Sequence, residues 1–217
     1  MKLVSIQSAR AVWLVPLTQI NPRGRNILPL VVALIERYKF EKRPDPKSLT
    51  DLPTKISFEV GSFPGIDGYP VYVSLTIHDD GLVVQTRSST MDAERFLRDM
   101  FSWLAKDYQL PAASDLSVRK LYMSEVIVQF ERAPIVFSDK FMRFARRLET
   151  GLGENQPKSM KLTTLNFGTD PAEQNPVGLR IERAAGTSFQ DNHFYSSAPI
   201  HTDEHLDLLG SFEEAAT

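Results

Sequence analysis

The sequence predicts an α+β protein in which two βαβββα repeats form one mostly antiparallel sheet of about eight strands, with helices on one face. Strand-like and helix-like patterns occur in the same order twice along the chain, roughly 105–110 residues apart. Three pairs of segments also correspond: KISFEVGSFP with KLTTLNFGTDP, PVYVSLTI with PVGLRIER, and RSSTMDAERFL with YSSAPIHTDEHL. We therefore expect one repeat over residues 1–110 and a second over residues 111–217, packed as one pseudo-symmetric unit.

The first repeat opens with a strand and a helix. The run AVWLVPLT, residues 11–18, is β-branched and aromatic, which predicts a strand. Arg10 interrupts the apolar start of the chain and no small-residue cleavage site follows, so we interpret this start as strand rather than signal peptide. Pro29 suits the first turn of a helix. Apolar residues then recur at helical spacing: Ile27, Val31, Leu34, Ile35 and Tyr38.

Three strands and a second helix complete this repeat. After an exposed, proline-rich loop at 42–53, residues 55–63 predict a strand. Alternating apolar and polar residues over 71–78 predict the next strand, with one buried and one polar face. Asp80-Gly81 predicts a hairpin turn, since glycine adopts positive φ at little cost. The return strand is expected at 82–87 and a helix at 92–107.

The second repeat follows the same order. Strands are predicted at 121–130, 161–167, 177–183 and 193–197. Ser138 is a suitable N-cap for a helix that ends near Gly151. A closing helix is expected to begin at about Thr202.

Composition excludes several classes of function. The 217 residues carry a net charge of −2 and no cysteine, which removes disulfide frameworks, thiolate metal sites and cysteine nucleophiles. No apolar stretch approaches the ~20 residues of a membrane helix. Neither a G-x-G-x-x-G nor a P-loop pattern is present. We therefore expect a cytoplasmic protein with no cofactor and no membrane association.

The segment His201-Thr202-Asp203-Glu204-His205 matches the H-x-x-E-H pattern of inverted zinc peptidases. That chemistry needs both histidines on one face of a helix. Thr202 or Asp203 is the expected N-cap, which places His201 before the helix and off that face. We predict a capped helix start here, and neither a metal site nor a catalytic set elsewhere.

Two surfaces are candidates for binding. The open face of the predicted sheet carries aromatic, hydroxyl and charged side chains, which is the mixture that interfaces use. Our candidates on this face are Trp13, Tyr72, Thr76, Arg180 and Glu182. The second surface is a basic helix face that includes Arg143 and Arg147, together with a basic region around Arg23, Arg25, Lys39, Lys42 and Arg43. An ordinary solvated surface would look the same in either place.

The end of the chain, RIERAAGTSFQDNHFYSSAPIHTDEHLDLLGSFEEA, resembles the C-terminal part of a family of sporadically distributed, uncharacterised bacterial proteins. The likeness lies in an extended strand region followed by a closing helix with His205 and Phe212. The resemblance implies a bacterial, cytoplasmic protein from an accessory or defence-type gene neighbourhood. It implies no particular activity.

Three functional hypotheses remain open. The first is a non-enzymatic protein-binding module or complex subunit, for example in a toxin-neutralising system, with a protein partner on the open face or the exposed helices, or a second copy of the chain on the open face. The alternative is an enzyme or small-ligand binder with a pocket between the repeats, whose polar residues would come from Glu59, Glu125, Glu182, His78 and His193. The third is nucleic-acid binding through the basic helix faces, which the negative net charge disfavours.

Overall fold

The computed structural model describes residues 1–44, 55–131, 163–170 and 178–216, together with Arg143, Arg147 and Ala172. The eight strands are β1 (Lys2–Leu14), β2 (Lys55–Pro64), β3 (Pro70–His78), β4 (Gly81–Thr86), β5 (Arg119–Gln129), β6 (Thr164–Gly168), β7 (Gly178–Arg183) and β8 (His193–Ala198). The helices are α1 (Leu17–Ile20), α2 (Leu28–Tyr38), α3 (Thr90–Tyr108) and α4 (Thr202–Ala216), with 3-10 turns at Ala113–Asp115 and Phe189–Asp191. Of the helix predicted from Ser138, only Arg143 and Arg147 lie within the described residues, and both are helical.

The strands form one open sheet in the order β2-β3-β4-β1-β5-β8-β7-β6. Neighbouring strands pair antiparallel in β2–β3, β3–β4, β4–β1, β6–β7 and β7–β8. The α+β class and the eight-stranded sheet are therefore confirmed. The internal repeat and its boundary at residue 110 stay predictions.

The chain divides into two compact units. The larger unit contains Ile6–Val126 and Ala198–His205. The smaller unit contains Met1–Ser5, Ile127–Ser197 and Leu206–Thr217. No helix among the described residues is both long enough and apolar enough to cross a bilayer.

The core of the larger unit lies between α2, α3 and one face of strands β1 to β4. The amphipathic helix α3 contributes the side chains of Phe96, Leu97, Met100 and Phe101 to it. Trp13 also belongs to this core: its side chain is 1% exposed and its ring stacks on Phe101 at 5.4 Å. The expectation that Trp13 lies on the open sheet face is therefore wrong.

Strand β2, at one edge of the sheet, contains a bulge between Phe58 and Gly61. Val60 has a φ of 57°, and the ring of Phe40 packs directly over Gly61. A Cβ on Gly61 would lie 2.4 Å from Phe40 Cε1, so any larger residue requires the buried Phe40 ring to move. Lys42 exchanges both backbone hydrogen bonds with Glu59 at 3.1 and 3.2 Å, which covers part of this edge.

The hairpin between β3 and β4 forms where it was predicted, but its turn residues are Asp79 and Asp80, because His78 pairs with Gly81. Gly81 does not have the positive φ that we expected. A Cβ at Gly81 would lie 2.6 Å from the Trp13 carbonyl oxygen. The glycine is therefore needed for the close approach of the β1 backbone.

In the smaller unit, strands β6, β7 and β8 form an antiparallel ladder. Phe130 packs against Phe194 and Phe212 of α4, with ring centroids 5.0 and 5.8 Å away. The backbone N–H of Glu131 donates a hydrogen bond of 2.5 Å to the Glu213 carboxylate. These contacts attach the second half of α4 to the end of β5.

Candidate interaction surface

The loop between β2 and β3, residues 65–69, is closed by its own backbone. The Gly65 N–H donates to the Tyr69 carbonyl at 2.7 Å, and the Gly68 N–H donates to the Gly65 carbonyl at 3.1 Å. Gly68 has a φ of 78°, in the region that favours glycine. The turn-rich sequence FPGIDGY thus folds into a defined turn.

The buried carboxylate of Asp92 anchors this loop to the start of α3. Asp92 Oδ1 accepts the Ile66 N–H at 2.9 Å, and Asp92 Oδ2 accepts the Ser88 and Ser89 hydroxyls, the latter at 3.2 Å. Ser89 Oγ in turn accepts the Asp92 N–H at 3.0 Å and so caps the helix. The loop is therefore closed by its own backbone bonds and attached to a 19-residue helix through the Asp92 side chain.

Four apolar side chains project into solvent around this anchored loop, and we call them the tip cluster. They are Ile66, Tyr69, Tyr72 and Met91, which are 52%, 77%, 73% and 41% exposed. Large apolar residues exposed together, rather than singly, are typical of interaction sites. Of these four, sequence reasoning found only Tyr72. Ile66 and Tyr69 could also have been found from the sequence, because a turn such as FPGIDGY needs neither an isoleucine nor a tyrosine for its geometry.

Tyr72 and Thr76 lie on the sheet face opposite Val73 and Leu75, which are buried in the core. Thr76 is half-buried, between Ser57 on one neighbouring strand and Val83 on the other. It contributes a hydroxyl to a flat, mixed surface, whereas Tyr72 projects from the end of that surface.

On this same face, Arg10 of β1 forms an ion pair of 3.3 Å with Glu125 of β5. Of the residues expected to line a pocket, those in the larger unit, Glu59, Glu125 and His78, are not gathered at one place. Glu59, on edge strand β2, forms an ion pair of 2.8 Å with Lys42. Glu125 pairs with Arg10, and His78 is the last residue of β3. His193 begins β8 in the smaller unit.

Two candidate residues of the smaller unit engage each other. Arg180 and Glu182 point the same way from β7, as their spacing requires, and form an ion pair. Arg143 and Arg147 are exposed, and the other residues of their predicted basic helix face lie outside the described residues.

The H-x-x-E-H segment forms the start of α4, and His201 precedes that helix as predicted. Here the first residues of two helices cap each other. The Thr90 N–H donates to Thr202 Oγ1 at 3.1 Å, and the Thr202 N–H donates to Thr90 Oγ1 at 3.0 Å. Both threonines are buried, and 112 residues of sequence separate them. This reciprocal cap satisfies one N–H of each helix that would otherwise have no partner.

The two histidines of this segment have separate environments. The His201 ring lies 3.7 Å from the Tyr122 ring, centroid to centroid, and its Nδ1 is 3.2 Å from Thr90 Oγ1. His205 is fully buried, and burial lowers its pKa to about 4. Among the residues that the structure describes, no group of three or more acidic or histidine side chains could hold a metal ion.

Tyr122 belongs to a charged network centred on Glu94 of α3. The Glu94 carboxylate accepts hydrogen bonds from Lys120 at 2.8 Å, Arg98 at 2.7 Å and Tyr122 at 2.9 Å. Burial opposes ionisation of Glu94, but these three donors outweigh it and lower its pKa to about 2. Burial, together with the bond to Glu94, raises the pKa of Tyr122 to about 12. The network therefore joins α3 to β5 in a fixed charge state across the neutral pH range.

No protein-family model matches this chain, and no curated protein matches it significantly. The resemblance to a sporadic bacterial family therefore stays a prediction.

Proposed function

We propose that this protein is a non-enzymatic protein-binding module, the subunit of a complex, and that its partner docks on the tip cluster. The observation that carries the proposal is the exposure of Ile66 and Tyr69 on a loop that Asp92 holds in place, together with the exposure of Tyr72 near the start of β3. Exposed tyrosines on an ordered loop lose little conformational entropy when they bind, so they make efficient anchors.

Side-chain docking at the tip fits this chain better than addition of a strand to edge strand β2. The bulge at Val60 and Gly61 interrupts the regular ladder. The backbone of Lys42 already occupies the edge beside Glu59. Both features are ways in which sheet edges are protected from further pairing.

The charges around the tip cluster favour a partner with an apolar patch and an acidic rim. Arg87 is exposed and directly follows Thr86, which pairs with Val73, the residue after Tyr72. Arg95 is 41% exposed and is held by Asp92 at 3.4 Å. Arginine and tyrosine are both enriched in the energetic centres of interfaces.

The test is affinity capture with the tagged protein and a matched pair of triple variants. The tip variant carries Ile66→Ser, Tyr69→Ser and Tyr72→Ser. The control variant carries Leu28→Ser, Val32→Ser and Leu121→Ser, three apolar residues of the larger unit that are 43%, 53% and 40% exposed. We expect a stoichiometric protein partner that wild type and control retain and the tip variant loses.

The purified partner then gives the quantitative result. Loss of one central tyrosine should weaken binding roughly 5- to 30-fold, because hot-spot side chains contribute about 1–2 kcal/mol or more. Arg87→Glu should slow association, more so at low salt. Equal capture by the tip and control variants would refute the proposal. So would a wild-type protein that binds only a second copy of itself, or only nucleic acid.

A further inference from the structure

A second feature of the larger unit is independent of the tip cluster. An apolar cavity of about 280 Å³ opens between α1, α2, α3 and the ends of the central strands. Its wall includes Leu17 of α1, Ile27, Val31 and Leu34 at α2, Ile56 of β2 and Leu104 of α3. Protein interiors are normally packed without voids larger than a water molecule. This apolar cavity opens to solvent, so it is accessible to a ligand and is not a sealed packing defect.

The volume sets the size of what the cavity can hold. One water molecule occupies about 30 Å³ of liquid, so 280 Å³ corresponds to roughly nine such volumes. A methylene group is of similar size. The cavity thus fits an alkyl chain of about eight carbons, while its apolar wall offers water few hydrogen bonds.

A second cavity, of about 530 Å³, has a lining that is about half polar and half apolar, and we call it the polar cavity because it contains two arginines. Asn21 and Leu110 line both cavities, so the two are adjacent. The polar cavity is lined by the side chains of Arg23 and Arg25 together with Gln19 and Gln109. An apolar chamber beside a polar one with two cations is complementary to an amphiphile.

Arg25 is held in position by the local fold. Asn21 Nδ2 donates to the Arg25 carbonyl at 2.8 Å, and the Arg25 N–H donates to Asn21 Oδ1 at 3.0 Å. The Arg25 guanidinium donates one bond of 2.9 Å to the Tyr108 carbonyl, near the end of α3. A guanidinium has five N–H donors, so this anchoring leaves others for a ligand.

Two carboxylates also line these cavities. Asp115 faces the polar cavity, where it accepts the Ala112 N–H at 3.3 Å and the Ser114 hydroxyl at 3.1 Å. Asp79 lies at the wall of the apolar cavity and is exposed. The polar cavity thus has two cations against one anion whose oxygens already accept protein hydrogen bonds.

We propose that these adjoining cavities form a binding site for a single-chain amphiphile, with an alkyl chain of about eight carbons in the apolar cavity and an anionic head group at Arg23 and Arg25. The shared chemistry of the head group is a carboxylate or a phosphate, both of which a guanidinium binds through paired hydrogen bonds.

The test is isothermal titration of the full chain with three probes of equal chain length: octanoate, 1-octanol and octylamine. We expect octanoate to bind most tightly and octylamine most weakly. The double variant Arg23→Gln, Arg25→Gln should weaken octanoate binding about 10-fold or more and leave 1-octanol within about 3-fold, because only the anion uses charge-assisted bonds. Arg43→Gln, an exposed arginine outside both cavities, is the charge control.

The apolar cavity is tested by filling it. Val31→Phe places a ring into the cavity and should abolish binding of all three probes, whereas Val32→Phe, at a residue 53% exposed on the same helix, should not. Ile27→Phe repeats the filling if Val31→Phe does not fold. Equal affinities for the three probes would overturn the assignment of the head group. No binding by wild type, or unchanged binding by both filled variants, would overturn the site.

Discussion

The reciprocal cap between Thr90 and Thr202 makes a quantitative prediction about the stability of the larger unit. Thr90→Val removes the oxygen that accepts the Thr202 N–H, and Thr202→Val removes the oxygen that accepts the Thr90 N–H. Valine keeps the shape of threonine, so each variant leaves one buried N–H without its acceptor. Such a loss costs about 1–3 kcal/mol, and loss of an N-cap costs about 1–2 kcal/mol, so we expect about 2 kcal/mol for each variant.

The double variant should cost less than the sum of the two. The two hydroxyls lie 3.4 Å apart, Thr202 donating to Thr90, and either substitution alone removes this contact. Because the sum of the single variants includes this contact twice, we expect a coupling energy of about 0.5–1 kcal/mol. The double variant should therefore lose about 3–3.5 kcal/mol.

Urea denaturation followed by tryptophan fluorescence measures these values. The chain has two tryptophans, Trp13 and Trp103, and both belong to the larger unit. With a slope of about 2 kcal/mol per molar urea, each valine variant should shift the midpoint by about 1 M. Thr90→Ser is the control, since it keeps the oxygen and loses one methyl group, worth about 0.8 kcal/mol. A Thr90→Ser variant as unstable as Thr90→Val, or valine variants within about 0.5 kcal/mol of wild type, would refute the capping role.

Three further predictions concern buried groups. Burial lowers the pKa of His205 from 6.5 to about 4, so the unfolded chain binds a proton at this histidine more readily than the folded chain does. The free energy of unfolding should therefore fall by about 2–3 kcal/mol as the pH is lowered from 6.5 to 4. This fall should be absent in urea titrations of His205→Leu. Glu94, whose pKa is lowered to about 2, should contribute about 2–3 kcal/mol that is present above pH 4.5 and lost toward pH 2. In Glu94→Gln, the free energy of unfolding should no longer fall between pH 4.5 and pH 2. An unchanged pH dependence in this range would contradict the network with Lys120. Gly61→Ala should destabilise the protein by about 2 kcal/mol or more in thermal unfolding, because its Cβ would overlap the buried ring of Phe40; wild-type stability would show that the ring moves aside.

Hydrophobic periodicity predicted most of the described elements, but it was wrong about Leu17 and Thr18, which were assigned to the first strand and instead begin helix α1. The alternation in β3 and the helical stripe of α3 follow from one buried face each, and such a face leaves a pattern in the sequence. β1 shows where the pattern fails. Around Trp13, both faces of this strand carry apolar residues, so the alternation in the sequence did not decide which face packs on the core. The register with β4, where Trp13 lies opposite Leu82, decides it.

The candidate sites were harder to predict, because they depend on contacts between distant parts of the chain. Ile66 and Tyr69 lie in the turn-rich segment FPGIDGY, but whether this turn is anchored depends on Asp92, which comes 26 residues after Ile66. The cap partners Thr90 and Thr202 stand in similar local sequences, yet nothing in either segment specifies that one caps the other. The cavity is a property of how three helices pack, which no local pattern encodes.

The mutual capping of two helices 112 residues apart also constrains the order of events during synthesis. Ile6–Val126 leave the ribosome long before Ala198–His205, although both segments build the same compact unit. Until the second segment emerges, the buried end of α3 has no Thr202 hydroxyl to accept its N–H. The larger unit therefore cannot complete its hydrogen bonds and its packing until a late segment of the chain has been translated.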